Sequence, residues 1–210
     1  MAAPKLYYAP GACSLASHIA LEEVGLPYET QKLDLAKGAQ RSDWYRKINP
    51  RGRVPALVLD NEVMTENVGI MTYVGGGHSD AGIWPKKTWD QAKLVSTLAW
   101  LSNTVHPAYA HFFRTERYVD DESAKAAVKA KGRAMFEGYL KEIDQLLEGQ
   151  KWSIANQYTV ADGYLLVFYR WANRQKIDVR SLKNYSALID RVLARPAVQK
   201  VMKDEGITLD

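Results

Sequence analysis

Tyr8-Ala9-Pro10-Gly11-Ala12-Cys13-Ser14-Leu15 sets how this chain begins to fold. Lys5-Leu6-Tyr7-Tyr8 reads as a short strand and Pro10-Gly11 as a turn. Leu15, Ile19, Leu21 and Val24 then form the apolar side of a helix that Gly25 ends. The single cysteine of the chain, Cys13, therefore falls where a strand stops and a helix starts. Unpaired backbone N–H groups and the positive end of a helix dipole favour a thiolate at such a position. The alternative is a small buried hydrophobe, which is what most lone cysteines are. Position alone leaves both readings open.

Downstream of this unit, Tyr28-Glu29-Thr30-Gln31-Lys32-Leu33 reads as a second strand, and residues 42–48 as a short helix. Ala56-Leu57-Val58-Leu59 and Glu62-Val63-Met64-Thr65 follow as two strands joined by the tight turn Asp60-Asn61. A helix starting near Asn67 carries Val68, Ile70, Met71 and Val74. The order βαβαββα predicts a compact α/β domain with a mixed sheet, because the hairpin requires one antiparallel pair. Residues 75–82, with three consecutive glycines, are expected to break the periodicity, and Pro85-Lys86-Lys87 to act as a linker. From Thr88 onward the apolar spacing is helical, as in Leu94, Leu98, Leu101 and in Phe136, Leu140, Ile143, Leu147. The expected division is residues 1–80 as the α/β domain and residues 88–210 as an all-helical domain, with 81–87 between them.

Composition narrows the function classes. A chain of 210 residues with 47% hydrophobic side chains can bury a substantial core. One cysteine excludes an intrachain disulfide, and Met1-Ala2-Ala3-Pro4-Lys5 lacks an apolar leader, so a cytoplasmic setting is expected. No apolar run approaches the roughly 20 residues of a membrane span. The net charge of +4 is spread along the sequence without a basic arm, which argues against nucleic acid and for a mild preference for small anions. Four histidines and one cysteine show no metal-ligand spacing.

Three stretches together resemble the cytosolic glutathione transferase family, above all its bacterial beta class. They are Pro10-Gly11-Ala12-Cys13-Ser14-Leu15-Ala16-Ser17-His18-Ile19, then Asn49-Pro50-Arg51-Gly52-Arg53-Val54-Pro55-Ala56-Leu57, and Thr159-Val160-Ala161-Asp162-Gly163-Tyr164-Leu165 with Arg170-Trp171-Ala172. The resemblance implies a thioredoxin-like first domain, a helical second domain and a homodimer. It also implies glutathione as co-substrate, a small hydrophobic electrophile as its partner, and no metal. Cys13 and His106 match the catalytic pair of the beta class. The Val54-Pro55 bond is cis in the family, with Val54 binding the cysteinyl unit of glutathione, although base rate alone favours a trans turn proline.

Glu66 and Asn67 match the residues that hold the γ-glutamyl end, and Asn67 stands where the family often has serine. As plain chemistry, Asn67 is also a good helix cap without any ligand. Ser14 is a hydrogen-bond donor at the helix start. Lys37 roughly matches a basic residue facing the glycine carboxylate, and a solvated loop lysine is its plain alternative. Asn103 lies one helical turn before His106 and is expected on the same face. Tyr109, Phe112 and Phe113 continue that face as electrophile-site candidates or as core. Pro107 should interrupt the helix beside His106. Thr159-Val160-Ala161-Asp162 has the form of a capping box, giving Asp162 a structural role. His18 reads as a packing or surface residue. With no second cysteine, any redox cycle must pass through a Cys13–glutathione mixed disulfide. Glutathione-dependent thiol reduction or reductive dehalogenation is therefore a rival activity, and ligand binding without catalysis a second rival.

Overall fold

The computed structural model describes residues 3–209. Residues 1, 2 and 210, which belong to the expected domains and to the reading of the N-terminus, lie outside the described residues. Four strands, β1 (Lys5–Tyr8), β2 (Glu29–Lys32), β3 (Ala56–Leu59) and β4 (Glu62–Thr65), form one sheet in the order β2-β1-β3-β4. β1 pairs parallel with β2 and antiparallel with β3, and β3 pairs antiparallel with β4. The hairpin turn places Asp60 and Asn61 at φ 47° and 70°, the left-handed pair that a two-residue connection requires. All four residues of β2 are exposed, as suits a polar edge strand.

Helices α1 (Ser14–Val24), α2 (Asp43–Ile48) and α3 (Asn67–Met71) complete the thioredoxin-like unit. Beyond it run α4 (Thr88–Trp100), α5 (His106–Phe113), α6 (Glu122–Leu146), α7 (Val160–Arg174), α8 (Lys183–Leu193) and α9 (Pro196–Glu205). The fold is thus α/β followed by all-α. α7 is its hub, with Val160 through Ala172 buried. α1 packs between the sheet and α7 and also touches α9, so a single apolar core runs through both parts.

Two expectations about breaks in helical structure are corrected. The glycine run 75–77 continues α3 as a wide π-type turn over Thr72–Gly76, with Gly77 still helical at φ −73°. Packing holds it there: a Cβ on Gly75 would lie 2.8 Å from Trp84 Cε3 and 3.3 Å from Val160 Cγ1, so absence of a side chain permits close approach. The segment 81–87 is likewise no free tether. Ile83 and Trp84 are buried, and Val160 N–H donates to the Ile83 carbonyl at 3.2 Å. We infer that the two parts divide within 81–87, across a packed connection.

Candidate active site

A cleft of about 1280 Å³ opens between the loops of the sheet and the helices α5 and α7, with Ser102 just ahead of α5 also lining it. Cys13, Val54, Pro55, Glu66, Asn67 and His106 line it together, although they are scattered over nearly a hundred residues of sequence. Ser14, Lys37 and Asn103 do not line it.

The turn after β1 is held from several sides. Gly11 takes φ 65°, and a Cβ there would meet the Arg170 guanidinium at 2.3 Å. Its N–H donates to Glu205 Oε2 at 2.7 Å, and its carbonyl accepts from Trp171 Nε1 at 2.9 Å. Ser14 closes the same turn: its hydroxyl accepts from Ala9 N–H at 3.1 Å and donates to the Ala9 carbonyl at 3.2 Å. That buried hydroxyl is engaged by the backbone, which corrects its expected role as a donor to ligand.

Cys13 is the N-cap residue of α1, and its thiol donates to the Val54 carbonyl at 3.3 Å. Burial pushes this thiol up to about 11, overriding the backbone N–H groups of Cys13 and Ser14 that act in the opposite direction. Glu66 pushes it further the same way. Of the two readings that position leaves open, this environment favours the neutral thiol, a hydrogen-bond donor, over the thiolate.

The acceptor for that thiol is fixed by the preceding loop. Arg53 O accepts from the Tyr45 hydroxyl at 2.6 Å and from Asn49 Nδ2 at 2.8 Å, while Asn49 Oδ1 accepts from Arg51 N–H at 3.1 Å. These bonds satisfy buried Asn49 and set the chain direction entering Val54-Pro55, whose peptide bond is cis.

Glu66 caps α3 from a left-handed conformation, φ 68° and ψ 129°. Asn67 is the first helical residue instead of the cap, a correction to its expected position. Its buried side chain donates through Nδ2 to the Cys13 carbonyl at 2.9 Å and accepts from the Ser17 hydroxyl at 2.6 Å. Lys37 has its ammonium in solvent, loosely paired with Asp34 at 3.9 Å, as the plain reading of a solvated loop lysine has it.

α4 and α5 form one rod interrupted by a π-type turn over Leu101–Val105. The wide turn sits where Pro107, second in α5, has no N–H to give to the preceding turn, so the rod tolerates the proline. It also breaks the three-residue spacing that would align Asn103 with His106. Asn103 faces out, exposed, while His106 points into the cleft. The imidazole packs edge-on against Trp171 and Phe168, with centroids at 5.0 and 6.3 Å. Burial pushes its pKa down to about 4, and the positive charges of Arg117 and Arg53 push the same way. At neutral pH it is an uncharged proton acceptor and not the imidazolium that would stabilise a thiolate.

The wall of the cleft beyond His106 is aromatic. Tyr109 stacks on Trp171 at 4.4 Å and on Phe113 at 5.3 Å, whereas Phe112 belongs to the core. Sequence reasoning missed the supports of this wall and of the Cys13 turn. His18 is buried, with Nδ1 2.8 Å from Glu205 Oε1 and its ring against Tyr8 and Tyr28. Glu205 had no local signal, since it follows Lys203-Asp204 at the polar end of α9. Arg170 carried the family resemblance without an assigned task.

A family model described as Glutathione S-transferase, N-terminal domain, matches residues 11–75, and one described as Glutathione S-transferase, C-terminal domain, matches residues 105–196. The chain is 34% identical over 206 residues to Glutathione S-transferase GstA of Escherichia coli O157:H7, covering 97% of this chain and 99% of that one. It is 31% identical over 204 residues to Glutathione S-transferase GST-4.5 of Xanthomonas campestris pv. campestris, with 97% and 99% covered. Among solved structures, a glutathione transferase homolog from Sulfitobacter with bound glutathione superposes with TM-score 0.92 at 29% identity, over 99% of this chain and 100% of that one. The bacterial beta class glutathione S-transferase of Sphingomonas chungbukensis gives 0.85 at 33% identity, over 97% and 100%.

Proposed function

Because this chain belongs to the glutathione S-transferase family, we propose that it conjugates reduced glutathione to small electrophiles in the cleft that holds Cys13 and His106. The observation that carries the reading is that one cavity is lined by both Cys13, a thiol kept neutral by burial, and His106, an imidazole kept uncharged by it. Val54 would pair with the peptide of the cysteinyl unit, and Glu66 with the γ-glutamyl ammonium. The start of α3, steadied by Asn67, would receive the adjacent carboxylate. Cys13 then donates its S–H to the sulfur of glutathione as that sulfur loses its proton, and His106 accepts the proton directly or through water. The thiolate attacks the electrophilic carbon, a C–S bond forms, and the leaving group departs with its electron pair.

A mixed-disulfide reductase would need Cys13 itself as thiolate, and its burial opposes that. Assembly as a homodimer, a role in detoxification and a cytoplasmic setting are part of the same proposal. They rest on the family resemblance and on the single, unpaired cysteine. Among the described residues no helix is long and apolar enough to cross a membrane.

Calorimetric titration with reduced glutathione, followed by turnover of a chlorodinitrobenzene, tests the reading. Heat with saturable turnover supports it, whereas no heat at millimolar glutathione overturns it.

A further inference from the structure

The positive charge that looks scattered in sequence is gathered by the fold. Seven basic and three acidic side chains line the cleft, an excess equal to the +4 of the whole chain, so the rest of the surface is neutral on balance. Part of that excess faces the glutathione side, from the loops around Arg51 and Arg53. Arg114, Arg117 and Arg174 instead come from the helical part and surround the aromatic wall.

Their placement follows from the ends of helices. Arg114 directly follows α5, with its N–H on the Ala110 carbonyl at 2.7 Å, and its guanidinium lies 4.8 Å from the Phe113 ring centroid. Arg117 ends a short turn anchored by the Thr115 hydroxyl on the His111 carbonyl at 2.6 Å. Arg174 is the last residue of α7, one helical turn beyond Trp171. Arg114 and Arg174, with Arg170, act electrostatically on the Tyr109 hydroxyl, and Arg117, with Arg53, acts on His106, so Arg114, Arg117 and Arg174 share the end of the cleft that holds the aromatic wall. Among the described residues none of the three forms an ion pair within 4.0 Å. Glu116 is the acidic side chain lining the same end.

Glutathione bears a single net negative charge, which the first part of the chain faces with its own arginines. An arginine trio around a stacked Trp171-Tyr109-Phe113 wall matches a flat, apolar second substrate that carries an acidic group. We propose that the preferred electrophiles are aromatic or unsaturated carboxylates, bound with their apolar body on Tyr109 and their anionic end among Arg114, Arg117 and Arg174. The proposal rests on the conjugation reading above and narrows its substrate class.

The test uses the whole chain and two matched pairs of probes. The unreactive pair, dinitrobenzoate and dinitrobenzene, is titrated in the presence of glutathione by tryptophan fluorescence. The carboxylate should bind about tenfold more tightly at low salt, and Arg114→Gln, Arg117→Gln and Arg174→Gln should each reduce that preference roughly threefold. The reactive pair, a chlorodinitrobenzoate and a chlorodinitrobenzene, should show the same preference in kcat/KM after correction for uncatalysed rates, and it should shrink with added salt. Equal binding of the unreactive pair, or a preference untouched by all three substitutions, overturns the anionic-substrate proposal. Absence of turnover for both reactive probes overturns conjugation instead and leaves the binding preference as a separate reading. A circular dichroism spectrum matching the parent chain shows that each variant is folded, so a lost preference counts against arginine recognition only where the arginine was spared.

Discussion

Asn67 donates from Nδ2 to the carbonyl of Cys13 at 2.9 Å, tying the first residue of one helix to the N-cap of another across 54 positions of sequence. Through this bond the two ends of the proposed glutathione site share one support. Replacing Asn67 with Ala removes the buried Ser17 hydroxyl's acceptor and one of two donors to the Cys13 carbonyl, which keeps the Ala16 N–H at 3.2 Å. The expected cost is about 1–3 kcal/mol of stability, together with a raised KM for glutathione and a kcat changed less than KM. Denaturant unfolding and steady-state kinetics on Asn67→Ala check this. A KM equal to that of the parent would remove Asn67 from the site.

Cys13 should be slow to alkylate at neutral pH. Burial raises its pKa to about 11, so the rate with iodoacetamide should climb with pH well past the usual thiol range. The sign for stability follows from the same shift. A folded pKa above the unfolded one contributes stability below about 9 that is lost as pH rises toward 11. Cys13→Ala should therefore flatten the alkaline end of the stability profile while keeping measurable conjugation. Fast alkylation at pH 7 would show that the thiolate predominates.

His106 behaves with the opposite sign. Its folded pKa lies near 4 against an ordinary 6.5, so the unfolded chain takes up a proton that the folded chain refuses. The contribution is intact above pH 6.5 and drains away as pH falls toward 4. Unfolding midpoints measured at pH 7 and at pH 4.5 should differ less in His106→Asn than in the parent chain. Between pH 6 and 8 kcat/KM should carry no inflection from this imidazole, and the variant should lose activity by roughly 10²-fold or more.

Glu205 holds two partners with one buried carboxylate, Gly11 N–H at 2.7 Å and His18 Nδ1 at 2.8 Å. Glu205→Ala leaves both without an acceptor, and a loss of about 3 kcal/mol is expected. For a chain of this length that lowers the melting temperature by roughly 6–12 °C. Glu205→Gln, which retains one acceptor, should fall between. Differential scanning calorimetry decides it, and a melting temperature within 2 °C of the parent would mean that water substitutes for the carboxylate.

Much of the fold was legible because its signals are local. The strand Lys5–Tyr8, the helix after Cys13 and the Asp60-Asn61 hairpin follow from periodicity and turn chemistry within a few residues. Asp162 kept its structural role, and the capping box is present. The carboxylate also accepts from Ser153 N–H at 2.9 Å, a partner outside the four-residue motif that makes it worth more than a simple cap. What stayed hidden depends on distant packing. The glycine run reads as a break until Trp84 is laid against it. The spacing of Asn103 and His106 holds only for a regular helix, and the π-type turn between them alters the phase. The charge of Cys13 turned on burial, which no local pattern encodes.

The grip on Gly11 bears on inheritance. Its N–H is satisfied from α9 and its carbonyl from α7, so the peptide that introduces the site is completed by residues more than 150 positions later. The thioredoxin-like part therefore resembles one half of a clasp more than a module that travels alone. A chimera that exchanges helical parts between relatives must import Arg170, Trp171 and Glu205 as a set to rebuild the loop bearing Cys13. Recombination at the packed connection would take the loop bearing Cys13 from one parent and its supports from the other.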